Sequence, residues 1–164
     1  MKRFHKWIKT VLPLLTPALM LTTAYGQEGK KEKAARTEEL VAGQNFVFKA
    51  QMAQPMGGRT IPLTSDYDLR VSKDSLVSFL PYFGRAFVAP MNPSEGGLQF
   101  TSTQFDYKVK VRRKGGWDIT LIPKDVRDPR QLNLNVSEQG YASLQVLSNN
   151  RQNISFTGAI EERP

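Results

Sequence analysis

The stretch Phe105-Asp106-Tyr107-Lys108-Val109-Lys110-Val111-Arg112-Arg113-Lys114-Gly115-Gly116-Trp117-Asp118-Ile119-Thr120-Leu121 carries the first decision about the fold. Phe105, Tyr107, Val109 and Val111 alternate with Asp106, Lys108, Lys110 and Arg112, which is the period of a half-buried strand. Lys114-Gly115-Gly116 is a turn signal, and Ile119 and Leu121 resume the alternation. Register selects the loop. A two-residue loop pairs Val111 with Thr120 and Lys110 with Leu121, which mixes core with solvent. A three-residue loop pairs Val111 with Ile119, Val109 with Leu121 and Arg112 with Asp118, so apolar meets apolar and opposite charges face each other. The second register is expected, with Gly116 at positive φ.

The same period recurs on both sides of this hairpin. Phe46, Phe48, Ala50 and Met52 alternate with polar neighbours, as do Tyr67, Leu69 and Val71, then Leu132, Leu134 and Val136, then Ile154, Phe156 and Ile160. Glu138-Gln139-Gly140 sets Val136 opposite Ala142, Leu134 opposite Leu144 and Leu132 opposite Val146. Lys73-Asp74-Ser75 and Asn149-Asn150-Arg151 read as two further hairpin tips. Turn signals at this spacing predict an all-β antiparallel meander of about eight to ten strands. It should form a small barrel or a strongly curved sheet. Before Asn45 the residues Lys33 to Ala42 favour a short N-terminal α-helix, with Gly43 as its C′ stop.

The beginning of the chain reads differently. Lys2, Arg3, Lys6 and Lys9 form a basic segment, Val11 to Leu21 is apolar, and Ala24-Tyr25-Gly26 supplies small residues at −3 and −1. This is the pattern of a cleaved Sec-type signal peptide over residues 1–26, and the apolar run is about half a membrane span. The expected organisation is a signal peptide (1–26), a mobile N-terminus with the short helix (27–44), and one β-barrel-like domain (45–164). The protein is expected in the periplasm or secreted, and not as an integral membrane protein. With no cysteine to carry a lipid, a lipoprotein is excluded.

Of the 164 residues, 23 are Lys or Arg and 15 are Asp or Glu. Four of the basic residues lie in the first 26, so the remainder carries 19 against 15. The only histidine, His5, lies there too. A mature chain without Cys or His excludes disulfides, thiolate nucleophiles, imidazole bases and Cys/His zinc sites. No cofactor and no metal site is expected. A net charge of +4 with no stacking motif also argues against a nucleic-acid partner.

Several runs are familiar together. They are Phe46-Val47-Phe48-Lys49-Ala50-Gln51, Pro55-Met56-Gly57-Gly58-Arg59, Leu63-Thr64-Ser65-Asp66-Tyr67-Asp68-Leu69 and Leu80-Pro81-Tyr82-Phe83-Gly84-Arg85-Ala86. Phe105-Asp106-Tyr107, Gly115-Gly116-Trp117-Asp118-Ile119 and Gly140-Tyr141-Ala142-Ser143-Leu144 join them. From about Asn45 to Glu161 the chain resembles domain-of-unknown-function family 4251, a family of exported Bacteroidota proteins. The resemblance implies a lipocalin-like antiparallel barrel with an N-terminal helix. It implies no activity and no catalytic residue.

Three surfaces are candidates for function. Phe79, Tyr82, Phe83 and Phe87 surround Arg85 and would form an aromatic barrel mouth, with Arg85 meeting an anionic group of a small ligand. The plainer reading is a bulged corner packed into the core, with Arg85 paired to a carboxylate. Lys108, Lys110 and Arg112 share one strand face that could touch anionic surfaces or an acidic partner. Such a row is also an ordinary solvated face that blocks edge pairing. Asp66 and Asp68 project about 7 Å apart from one strand face, a spacing open to carboxylate catalysis or Ca²⁺ but common on solvated strands. Asp74-Ser75-Leu76 resembles the motif that Bacteroidota O-glycosylate, which makes Ser75 a modification candidate.

Three functions follow. The first is a non-enzymatic binding protein with a small apolar or amphipathic ligand in the barrel mouth. The second is a protein-interaction or inhibitor module using an exposed sheet face. The third is a His-free carboxylate hydrolase. An open, aromatic-lined interior would favour the first, and a filled interior with an exposed patch the second.

Overall fold

The computed structural model describes residues 22–87 and 96–163. The segment 1–21, which holds most of the expected signal peptide, lies outside the described residues. One helix, α1 (Thr22–Gly43), is followed by nine strands. These are β1 (Phe46–Pro55), β2 (Ile61–Val71), β3 (Leu76–Leu80), β4 (Leu98–Ser102), β5 (Phe105–Val111), β6 (Trp117–Pro123), β7 (Gln131–Val136), β8 (Tyr141–Leu147) and β9 (Ile154–Glu161). They form one antiparallel sheet in the order β4-β3-β2-β1-β9-β8-β7-β6-β5. The meander expected from the sequence is therefore present, nearly closed into a barrel.

Closure follows from the order. β4 and β5 sit at opposite ends of the list, and alternation makes them run in the same direction. Only Thr103 and Gln104 separate them. Together they act as one bent strand whose first half pairs with β3 and whose second half pairs with β6. Traced through its partners, Ser102 leads by Leu76 and Val71 to Phe46, at the start of β1. Phe105 leads through Pro123 towards the far end of the sheet. A two-residue link between such different levels requires the steep strand tilt of a closed barrel.

Asp125 holds the bend. Its carboxylate accepts from the Ser102 hydroxyl, from the Thr103 N–H at 2.8 Å and from the Gln104 N–H at 3.3 Å. The Lys124 N–H donates to the Gln104 carbonyl at 2.7 Å. These hydrogen bonds, led by the Ser102 hydroxyl, bring the Asp125 carboxyl down to about 2.

The core lies inside the barrel. Phe46, Phe48, Leu69, Leu76, Leu121, Leu134, Leu144 and Phe156 are each 0 % exposed, within one contiguous apolar cluster. A chamber wide enough to admit a water molecule would leave accessible area on its walls, and these walls have none. The interior is filled by side chains.

Three local expectations are corrected. The Glu138–Gly140 hairpin has the expected register, but the Lys114–Gly116 hairpin pairs Val111 with Trp117 and Val109 with Ile119. The Arg112 N–H donates to the Gly116 carbonyl at 2.9 Å and the Gly115 N–H to the Arg112 carbonyl at 3.1 Å, so the three-residue loop is Arg113–Gly115, one residue earlier than expected, with Gly115 and Gly116 both at positive φ. A shift of two residues preserves the facing of every side chain, which is why the alternation could not detect it. In β1 a bulge between Ala50 and Met52 moves the buried position from Met52 to Ala53. Finally, α1 begins at Thr22 and not near Lys33, and its C′ residue at φ 51 is Gln44 and not Gly43. Gln44 N–H bonds the Val41 carbonyl and Asn45 N–H the Leu40 carbonyl, each at 3.3 Å, in the Schellman pattern.

α1 is charged around most of its circumference. It meets the barrel through buried Thr37 and Val41 and half-buried Leu40. The Tyr107 hydroxyl donates to the Val41 carbonyl at 2.9 Å and ties the helix end to β5. Burial pushes the Tyr107 phenol above its usual range. No helix among the described residues is long and apolar enough to cross a membrane.

Candidate functional site

At the end of the barrel remote from α1 the chain pairs with itself outside the sheet. After β3 the segment from Tyr82 to Phe87 crosses to the β8–β9 turn. Gln152 N–H donates to the Arg85 carbonyl at 3.0 Å, Phe87 N–H to the Asn150 carbonyl at 2.7 Å, and Ala86 bridges Arg151. The Tyr82 hydroxyl lies 2.9 Å from the Arg85 carbonyl and 3.0 Å from that of Gln152, and burial raises its pKa. Arg151 anchors this strap. Its guanidinium stands 5.2 Å above the Tyr82 ring, donates to the Gly97 carbonyl at 2.9 Å and lies 3.4 Å from the Asp128 carboxylate.

The five proposed mouth residues differ in burial. Tyr82 and Phe83 are half-buried against the core. Phe79 pairs with Asp68 on the outer wall, stacks on Tyr67 with 5.8 Å between ring centres, and is 45 % exposed. Phe87 and Arg85 are exposed, and among the described residues no carboxylate pairs with Arg85.

Asp66 and Asp68 differ in burial too. Asp68 is buried and committed to Arg70 at 3.0 Å and Lys49 at 3.6 Å, whereas Asp66 is exposed. Among the described residues no cluster of three or more His, Cys, Asp or Glu could hold a metal ion. Ser75 sits half-buried in the β2–β3 turn with its hydroxyl 2.7 Å from that of Ser72. The Ser72 hydroxyl, 2.6 Å from Asp74, holds the Asp74 carboxyl below its ordinary value.

Among the described residues two surfaces are candidates for a partner. One is a cleft of about 630 Å³ between the end of α1 and the β2–β3 turn, lined by Arg36, Leu40, Gln44, Lys73, Asp74 and Glu162 among others. Its charges are mixed and partly self-paired, with Arg36 and Glu162 in contact at 2.6 Å. The other is the second half of β5. Lys108, Val109, Lys110, Val111 and Arg112 are all exposed, with Val109 at 42 % and Val111 at 71 %. Val109 and Val111 carry the alternation of inward residues, yet the strand has run past the barrel there and its inner face meets solvent. Lys108 and Lys110 have no ion pair among the described residues, and Arg112 stands 3.8 Å from Asp118.

The sequence reading missed Asp125, Arg151 and Tyr107. Each acts on residues more than twenty positions away, and no local pattern marks such a partner.

Comparison with known proteins agrees with this architecture. The family described as "Domain of unknown function (DUF4251)" matches residues 28–160, and so includes most of α1. A crystal structure of a DUF4251 family protein from Bacteroides eggerthii is similar, with a TM-score of 0.57 at 16 % identity. The alignment covers 82 % of this chain and 88 % of that one. At that identity the likeness concerns the fold. No curated protein matches the chain.

Proposed function

The chain belongs to the DUF4251 family, and on that footing we propose that it is an exported, non-enzymatic binding protein that engages a partner through its outer surface. The observation that carries this reading is the filled interior: among the described residues Phe48, Leu134 and Phe156 are 0 % exposed, with no water-accessible space beside them. The strap at one end and α1 at the other support it. The basic, apolar and small-residue run over residues 1–26 supports export, and the Bacteroides source of the similar structure is in keeping with a Bacteroidota origin.

A small ligand is the second reading. The specific observation in its favour is the cleft of about 630 Å³ beside the end of α1. It would take an amphipathic molecule with a charged group, outside the barrel and away from the aromatic segment.

Native mass spectrometry of untagged protein, purified from its own cell envelope, separates the two. The outer-surface reading predicts a chain starting near Gln27 with no bound small molecule, and cross-linking in intact cells should give a discrete larger species. A small molecule lost on denaturation would overturn it in favour of the second. A chain recovered from the cytoplasm with Met1 intact would overturn export.

A further inference from the structure

We propose that the open edge of β5, from Tyr107 to Val111, accepts an extended acidic segment of a partner protein as an added strand. This rests on the outer-surface reading and names where, and with what chemistry, the partner sits.

The backbone argument comes first. The Arg112 N–H points at the Gly116 carbonyl on the β6 side. In an antiparallel ladder the direction alternates with every residue. The N–H and C=O groups of Lys108 and Lys110 therefore point to β6, whereas those of Tyr107, Val109 and Val111 point to the opposite side. Among the described residues no strand pairs with that side. An incoming strand finds an unused ladder there.

The side chains then choose the occupant. One face of the edge presents Lys108, Lys110 and Arg112, followed by Arg113 and Lys114 in the turn, and the other presents exposed Val109 and Val111. Cross-strand neighbours on a shared face set pairing preference, so the complementary strand alternates acidic with apolar residues. A second copy of this chain is disfavoured, because two β5 edges would bring their Lys rows together. A carboxylate row has the opposite charge and meets two lysines without ion pairs of their own.

The test is an NMR titration of the ¹⁵N-labelled chain with a short blocked peptide alternating glutamate with valine. Its counterpart alternates lysine with valine. The proposal predicts that the glutamate peptide shifts the amides of Tyr107 to Val111 and slows exchange of the Val109 and Val111 N–H groups. The double variant Lys108→Glu/Lys110→Glu, whose backbone ladder is intact, should bind at least about tenfold more weakly through lost charge pairing. Val109→Pro removes an N–H that β6 does not use, a position where edge strands tolerate proline, and should abolish binding in a folded protein. Binding weaker than about 1 mM, equal binding of the two peptides, or shifts centred elsewhere would overturn the proposal. If cross-links in intact cells form through another face, the outer-surface reading stands and the edge assignment alone fails.

Discussion

Truncating Phe156 tests whether the barrel is packed as described. The side chain is 0 % exposed, and its strand is paired on both sides, with Ala53 of β1 and Leu144 of β8 at its own level. Both neighbours are also 0 % exposed. Phe→Ala in a core costs about 3–5 kcal/mol, the larger values arising where the surroundings cannot collapse into the void. Here two hydrogen-bonded strands hold β9 in place, so Phe156→Ala should lose about 4–5 kcal/mol. That is about a quarter or more of the about 5–15 kcal/mol that holds such a domain folded. The urea midpoint should fall by about 2 M, and the melting temperature by about 10–20 °C. Tyr141→Ala is the control. Tyr141 lies on adjacent β8 but is 71 % exposed, and its loss should change stability by less than about 0.5 kcal/mol. A loss below about 2 kcal/mol for Phe156→Ala would refute the reasoning, because it would mean that the phenyl ring already borders empty space.

Three other outcomes follow from the same structure. Gly158→Ala would place a Cβ 1.9 Å from the Lys49 carbonyl on β1, so it should destabilise by about 1–3 kcal/mol or more in thermal melts, against near-neutrality if β9 is free to move away. Gln44→Gly should raise the melting temperature, since Gln44 occupies φ 51 at the C′ position of α1 where glycine carries no Cβ penalty; an unchanged or lower value would count against that cap. The Asp125 carboxyl, held at about 2 in the fold, has a lowered pKa, so its contribution is complete above its unfolded value of about 3.9 and disappears as pH falls towards 2. The stability gap between wild type and Asp125→Asn should close over that window in acid titrations followed by circular dichroism, and a gap independent of pH would refute the assigned role.

How much of this could be read in the sequence depended on what each residue's neighbours reveal. Leu132, Leu134 and Val136, with Ala142, Leu144 and Val146, displayed their period, and centring the loop on Gln139 gave the observed register. The Lys114–Gly116 hairpin displayed its faces but not its register, since moving by two residues leaves every side chain on the same side. The bulge after Ala50 was invisible because Met52 is as apolar as a core position demands. Closure was invisible for a different reason. It depends on Asp125 reaching Ser102 and Thr103 from another turn, a contact without periodicity.

The candidate sites followed the same logic. Phe79 was grouped with Tyr82 and Phe83 by proximity. Strand parity, however, puts Phe79 on the side opposite buried Ser78 and Leu80. The Lys108 to Arg112 row was legible as an exposed basic face. That Val109 and Val111 would also be exposed was not, because their alternation matches that of true core strands and only the course of β5 past the barrel exposes them.

The most direct test of the account is a crystal structure of the mature chain under xenon pressure, since xenon enters apolar cavities that water leaves empty. The account predicts no xenon among Phe48, Leu134 and Phe156. Xenon inside the barrel would contradict the filled interior and return the ligand to the place from which the outer-surface reading removes it.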